Sequence, residues 1–326
     1  MTVSEELIRP REIFDEYLRL SALDARSFFG GCPRTRIDCP ACGTAGSPAF
    51  EKLGFTYEEC PACQTLFVSP RPGAEAFTRY YTQSESSKYW ASTFYPKTAD
   101  ARREALWKPK AALIHEFLRA HGSRDHSVID IGAGYGIFAE VYAAAYGTGV
   151  TCIEPSPELA AACRGRGLQV IEGFLSNVTT DRLPTGPRAF VSFELFEHLV
   201  DPGAFLREVR ALCAPGDLLV FTTLSGAGLD IRVLWESSKS VSPPHHLNFL
   251  NPWSARALAL SCGFSSVEVR TPGVLDLDIL ANSPQLTRDR FWSLFLSRAS
   301  PGERAEFQGL LSSSGWSSHM MVCCRA

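Results

Sequence analysis

Apolar residues Leu7, Ile8, Ile13, Phe14, Tyr17, Leu18 and Leu20 recur at helical spacing through residues 5–25, with Pro10 interrupting them. That pattern predicts an amphipathic helix that breaks or bends at the proline, whose ring removes an amide donor. Residues 99–120 read as one or two further helices, with Pro109 in a first turn and Gly122 as the stop. From residue 127 the pattern changes. Short apolar runs at 128–131, 149–153, 168–171, 189–193 and 218–223 alternate with helix-like stretches at 137–146, 157–166 and 201–213. Short, mostly apolar strands alternating with helices predict an α/β domain with a doubly wound, largely parallel sheet. Beyond it come a helix at 254–261, a strand at 267–271, a helical insertion at about 281–312 and a last strand at 320–324. Residues 226–242 hold only the helix-like I-R-V-L-W.

Residues 37–72 are different in kind. They hold two C-P-A-C knuckles, Cys39 to Cys42 and Cys60 to Cys63, with a strand or hairpin predicted at 50–57. Two C-x-x-C pairs about 17 residues apart fit a four-cysteine site in which thiolates complete a tetrahedron around zinc. Gly43 permits the tight turn after the first knuckle. Four protein ligands leave no open position, so the role is structural. Iron, a redox dithiol and unliganded buried thiols are the alternatives. Residues 75–90 are rich in aromatics, including Tyr80, Tyr81, Tyr89 and Trp90, and predict a small helical lid. The expected organisation is an amino-terminal helix at 1–36, a zinc ribbon at 37–72, a helical lid or linker at 73–125 and a catalytic domain at 126–326.

Composition narrows the class of partner. The chain has 326 residues, 45% hydrophobic and 21% charged, with a formal net charge of -3, so a polyanionic partner is not expected. No signal-peptide core and no apolar run of 18 residues is seen, which makes the cytoplasm the default. Eleven cysteines without an export signal imply reduced thiols or bound metal.

The chemistry centres on residues 128–136, V-I-D-I-G-A-G-Y-G. An apolar strand runs into Gly132, Gly134 and Gly136 and then a helix, and alternate glycines let the backbone turn sharply and approach a ligand. A dinucleotide fingerprint would need a glycine where Ile137 stands. Asp130 would repel a diphosphate but suit a cation. The stretch resembles the first motif, D/E-x-G-x-G-x-G, of the class I S-adenosylmethionine-dependent methyltransferases, whose cofactor carries an ammonium and a sulfonium. Glu154 and Pro155 end the second strand about 20 residues on, where an acid is placed for ribose hydroxyls. Residues 193–202, F-E-L-F-E-H-L-V-D-P, and 243–253, P-P-H-H-L-N-F-L-N-P-W, resemble the sugar and small-molecule branch of that family.

The resemblance implies a Rossmann-like seven-stranded sheet with the last strand antiparallel. It also implies that S-adenosyl-L-methionine lies against Asp130, Gly132, Ala133, Gly134 and Gly136, against Glu154 and Pro155, against Gly173 and Phe174, and against Phe193, Glu194 and Leu195. Phe174 stands where many relatives place a carboxylate for the adenine amine. Tyr81, Tyr89 or Trp90 is available to cover that pocket. For a hydroxyl acceptor a base must remove the proton, and histidine suits neutral pH. His246 is the first choice, with Asn248 orienting substrate and His245 and His198 as alternatives; His115, His121, His126 and His319 read as structural. The expected activity is methyl transfer to a sugar, nucleotide sugar or secondary metabolite, with a small-molecule partner and no membrane. An RNA methyltransferase gripping nucleic acid with the ribbon, a non-catalytic zinc-ribbon protein and a nicotinamide dehydrogenase are the rivals.

Overall fold

The computed structural model describes residues 4–121 and 126–326, and the expected stop at Gly122 lies outside them. Contacts group the chain into two compact units, one of Met1–Ala99, Leu224–Ala255 and Arg270–Met320, the other of Asp100–Thr223, Arg256–Val269 and Met321–Ala326. Segments far apart in sequence therefore share a unit.

Seven strands form the large sheet: β1 Ser127–Ile131, β2 Val150–Glu154, β3 Gln169–Glu172, β4 Arg188–Phe193, β5 Leu218–Leu224, β6 Ser266–Arg270 and β7 His319–Arg325, in the order β6-β7-β5-β4-β1-β2-β3. Registers between β1 and β2, β1 and β4, β2 and β3, and β4 and β5 are parallel. The last strand runs the other way. At one end the Gly216 amide, just before β5, donates to the Ala326 carbonyl, just after β7, and at the other the Ser225 amide donates to Ser318. The Ser265 amide before β6 meets the Arg325 carbonyl in the same sense. The expected Rossmann-like sheet with an antiparallel last strand is present. Every residue of β4 and β5 is buried, as helices on both faces require. The strand order reverses at β1 and β4, which opens a crevice at the carboxyl ends of these strands.

The other unit carries an antiparallel sheet of Ser47–Lys52, Phe55–Glu59, Leu66–Val68 and Asn248–Phe249. The first two strands are the hairpin expected around residues 50–57. The fourth comes from 180 residues further on and pairs antiparallel with Leu66 and Phe67. Arg71 fastens it, donating to the Leu247 carbonyl at 3.3 Å and to Asn248 Oδ1 at 2.9 Å. The expectation that Asn248 orients substrate is corrected here. Its residue is 1% exposed and its side-chain oxygen serves the buried arginine.

Helix Arg11–Phe29 follows Pro10, which ends the short turn Glu5–Ile8. Its Phe14 and Tyr17 pack with Phe94, Tyr89 and Trp90, so part of the aromatic segment is spent on a helical core. The insertion is helical but divided, with helices Arg290–Arg298 and Pro301–Ser314 started by Asp289 and by a capping box at Ser300.

The aromatic core closes on His245. Its Nε2 shares a 2.5 Å hydrogen bond with the Tyr80 hydroxyl, and the rings of Tyr17, Tyr80 and Tyr81 lie 5.6, 5.0 and 5.8 Å from its own. Burial, helped by His246, pushes its pKa down to about 3, so it is a poor base at neutral pH. The unfolded chain takes up this proton below about pH 6.5 while the folded chain refuses it. Stability is therefore lost as pH falls below that value. In urea unfolding, His245→Gln, which keeps a hydrogen-bonding group but does not titrate, should lose less, by about 1.4 kcal/mol per pH unit below pH 6. Parallel curves for the two proteins would contradict the depressed value.

Candidate functional site

Three left-handed glycines shape the turn after β1, with φ of 72° at Gly132, 56° at Gly134 and 70° at Gly136. Each meets a different constraint. A Cβ on Gly136 would lie 2.7 Å from Leu168 Cδ1 and 2.9 Å from Cys163 Sγ, and one on Gly132 would lie 3.0 Å from Leu195, whereas Gly134 faces open space. The outer two thus serve close packing, and the middle one leaves room for a ligand. The loop is held from β2: Glu154 Oε2 accepts the Gly134 amide at 2.8 Å and Oε1 accepts the Ser156 amide at 2.9 Å. Ala133 contributes a carbonyl to the Gly136 amide. Each carboxylate oxygen of Glu154 retains acceptor capacity.

Further along the same edge, the Gly173 amide donates to the Glu154 carbonyl at 3.1 Å. Pro155 is exposed, and Phe174 presents 60% of its surface. At the end of β4, Glu194 adopts φ 52°, and its amide donates to the Thr222 carbonyl at 3.1 Å. Its Oε1 accepts from Thr222 Oγ1 at 2.8 Å and from Lys110 Nζ at 3.1 Å. The ammonium also lies 5.1 Å from the Trp107 ring and 5.0 Å from the Phe193 ring. Glu197, 1% exposed, accepts from Thr223 Oγ1 at 2.8 Å. His198 ends the same short turn, half-buried, its amide on the Leu195 carbonyl.

Burial works against the charge on these acids. Burial, then the charge of Glu154, pushes Asp130 up to about 8 although Lys110 opposes the shift. Burial, then Glu194, raises Glu197 to about 8. Burial raises Glu154 against the amides of Ser156 and Gly134. One lysine thus stands among four carboxyl groups, an arrangement able to receive a further cation and hostile to a diphosphate.

In the other unit, the sulfurs of Cys39, Cys42, Cys60 and Cys63 all lie within 4.8 Å of one another, with Cys39–Cys63, Cys42–Cys60 and Cys42–Cys63 each at 3.5 Å. Four sulfurs on a zinc at about 2.3 Å would stand about 3.8 Å apart, so the donor set fits. The two knuckles repeat one geometry. The Gly43 amide donates to Cys39 O and the Gln64 amide to Cys60 O, both at 2.8 Å, and Gln64 takes the left-handed φ of 59° that Gly43 takes at 74°. Burial pushes Cys39 up; at Cys42 burial is opposed by the Thr44 hydroxyl and the facing thiols, which bring it down to about 7.

His246 also belongs to this unit. Its Nδ1 lies 2.6 Å from the Ser240 carbonyl oxygen, and a carbonyl only accepts, so Nδ1 carries a proton and Nε2 is the nitrogen through which the ring can gain or lose one. The Tyr57 hydroxyl holds the His246 carbonyl at 2.7 Å.

Sequence reasoning missed Lys110, Trp107 and Thr222. A lysine in K-P-K at a helix start reads as a solvated charge, and nothing in its spacing to Glu194 announces the pairing.

A family model described as a methyltransferase domain matches residues 100–269. Among curated proteins, the chain is 29% identical over 156 residues to a ubiquinone biosynthesis O-methyltransferase of Xylella fastidiosa, covering 45% of this chain and 62% of that protein. It is 32% identical over 153 residues to the protein of the same name from Xanthomonas euvesicatoria pv. vesicatoria, covering 44% and 62%. The chain thus spans about three fifths of the length of these relatives. Among solved structures, the plantazolicin methyltransferase BamL, in complex with a triazolic desmethylPZN analog and SAH, matches with a TM-score of 0.49 at 14% identity over 76% of this chain and 93% of that one.

Proposed function

Because the chain belongs to the class I S-adenosylmethionine-dependent methyltransferases, we propose that it moves the cofactor's methyl group to a hydroxyl of a small molecule: a sugar, nucleotide sugar or secondary metabolite. The observation that carries the reading is the open space at Gly134 beside an edge of four carboxyl groups and one lysine. Curated relatives named for O-methylation support oxygen as the accepting atom.

S-adenosylmethionine, when bound, supplies a methyl group already activated on a sulfonium. The residues of this chain would then bind and align. Glu154 would accept from the ribose hydroxyls, the glycine loop would pass beneath the methionyl chain, and Phe174 would offer its exposed ring to the adenine. Asp130 and Glu194 would face the ammonium, and Lys110 is suited to the carboxylate of the same group. Alignment of donor and acceptor supplies much of the rate. His246, its Nδ1 held by the Ser240 carbonyl, would take the acceptor's proton at Nε2; His198 is the alternative. The four cysteines would hold a structural zinc in the ribbon of residues 37–72, with residues 73–125 as lid. No helix among the described residues is long and apolar enough to cross a membrane. A cytoplasmic location is part of the proposal and rests on the reduced thiols that the cysteine content implies.

Calorimetry with S-adenosylmethionine tests the premise. A bound cation should draw the proton off Asp130, so binding at pH 7 should release up to one proton, seen as different apparent enthalpies in phosphate and Tris. Affinity should rise with pH up to about tenfold per unit between about 6 and 8. Absence of binding would end the reading, and buffer-independent enthalpies would remove Asp130 from it. His246→Ala should keep cofactor affinity near wild type while turnover falls by about 100-fold or more; unchanged turnover would acquit His246. Elemental analysis should find one zinc per chain, lost in Cys42→Ser together with thermal stability, whereas a metal-free and equally stable wild type would refute the ribbon.

A further inference from the structure

One cavity in the unit that carries the cysteines takes no part in the scheme above. It is an open cleft of about 700 Å³ beside the second knuckle, a volume suited to a small ligand of one or two rings. Trp235 and Trp316 line it, with Cys60 and Pro61 at the knuckle, and its polar side chains include Ser47, Glu59, Gln64 and Arg232. The arginine is fixed in place. Its Nη1 pairs with Glu59 Oε1, its Nη2 donates to the Gln64 carbonyl at 3.2 Å, and its guanidinium lies 5.3 Å from the Trp235 ring. Trp235 is itself held at a φ of 51°, its indole against Phe50 at 5.1 Å. Trp316 is 47% exposed but tied through its backbone, which accepts the Leu229 amide and donates to the Leu311 carbonyl, both at 2.9 Å.

The chemistry of the walls selects a ligand. Indole faces are electron-rich, and they attract the C–H groups of a pyranose, which the ring's oxygens leave slightly positive. Arg232 spends two of its five N–H groups on Glu59 and Gln64, and Glu59 spends one carboxylate oxygen on Arg232. With the Gln64 amide, the cavity offers donors and acceptors side by side, as a row of hydroxyls requires. Glu59 and Arg232 are the only charged side chains among its described lining residues. They offset each other, so nothing here draws in an anion such as a diphosphate.

The geometry points to a saccharide pocket, in which a neutral pyranose stacks on Trp316 and Trp235 and its hydroxyls bridge Glu59, Arg232 and Gln64. It deepens the reading of a sugar acceptor and rests on that reading for its biological sense, but binding itself does not depend on methyl transfer.

The test uses the full zinc-loaded chain with methyl glucoside, galactoside and mannoside, their disaccharides and UDP-glucose, followed by saturation-transfer NMR and tryptophan fluorescence. At least one neutral glycoside should bind with a dissociation constant of about 1 to 10 mM. Trp316→Ala, at an exposed ring, should weaken it by about tenfold or more, and Trp316→Tyr should restore most of the loss. No neutral glycoside binding at these concentrations, binding of UDP-glucose alone, or equal binding by Trp316→Ala would each overturn the pocket. Calorimetry with S-adenosylmethionine on the same preparation separates the two ideas. Cofactor binding without glycoside binding overturns the pocket and leaves the methyltransferase reading standing, and the reverse result does the opposite.

Discussion

The crowding of carboxyl groups at the carboxyl ends of β1, β2 and β4 sets the terms for everything around it. Asp130, Glu154 and Glu197 are each nearly inaccessible to solvent, and Glu194 joins them with a left-handed φ of 52°. A buried carboxylate is tolerable only when bonded or protonated. The structure uses both routes. Glu154 is bonded to two amides, Glu194 to Thr222 and Lys110, and the two acids pushed up to about 8 are left to carry protons.

That arrangement makes the site responsive to charge. Lys110 alone cannot neutralise four acids, and a ligand bringing a positive group would find two protonated carboxyls ready to ionise. The same residues explain the geometry of the glycine turn. Glu154 reaches across from β2 to the Gly134 amide, so an acid at the end of one strand fixes the glycine turn after its neighbour. Cys163 reinforces the loop from behind, donating to the Gly134 carbonyl at 3.2 Å. Shape and electrostatics here come from one set of bonds.

The unit bearing the cysteines is built on a different economy, with short strands and little sheet. Its order comes from two copies of one knuckle, from the aromatic cluster around Tyr17 and Tyr80, and from a return strand. Asn251 Nδ2 donates to the Cys63 carbonyl at 2.7 Å, Tyr57 of the hairpin holds the His246 carbonyl, and Arg71 holds Asn248 of the same return segment. The segment bearing His245 and His246 is thus an integral part of the ribbon's sheet. This is why the two adjacent histidines differ so sharply, one sealed among tyrosines and one with its tautomer set by the Ser240 carbonyl.

Sequence alone determined the parts whose information is local. Alternating apolar runs and helical periods specify a doubly wound sheet because burial on both faces demands it, and C-P-A-C repeated once specifies a four-sulfur cluster because each knuckle carries its own turn. The glycine spacing after Asp130 did the same for the family. Tertiary structure decided what depends on distant partners. Asn248 resembles a substrate contact until Arg71 claims it, His245 resembles a base until three tyrosines exclude water, and Lys110 is unremarkable until a strand end brings Glu194 to it. A side chain's protonation and bonding are set by neighbours far away in the chain, and no periodicity records them.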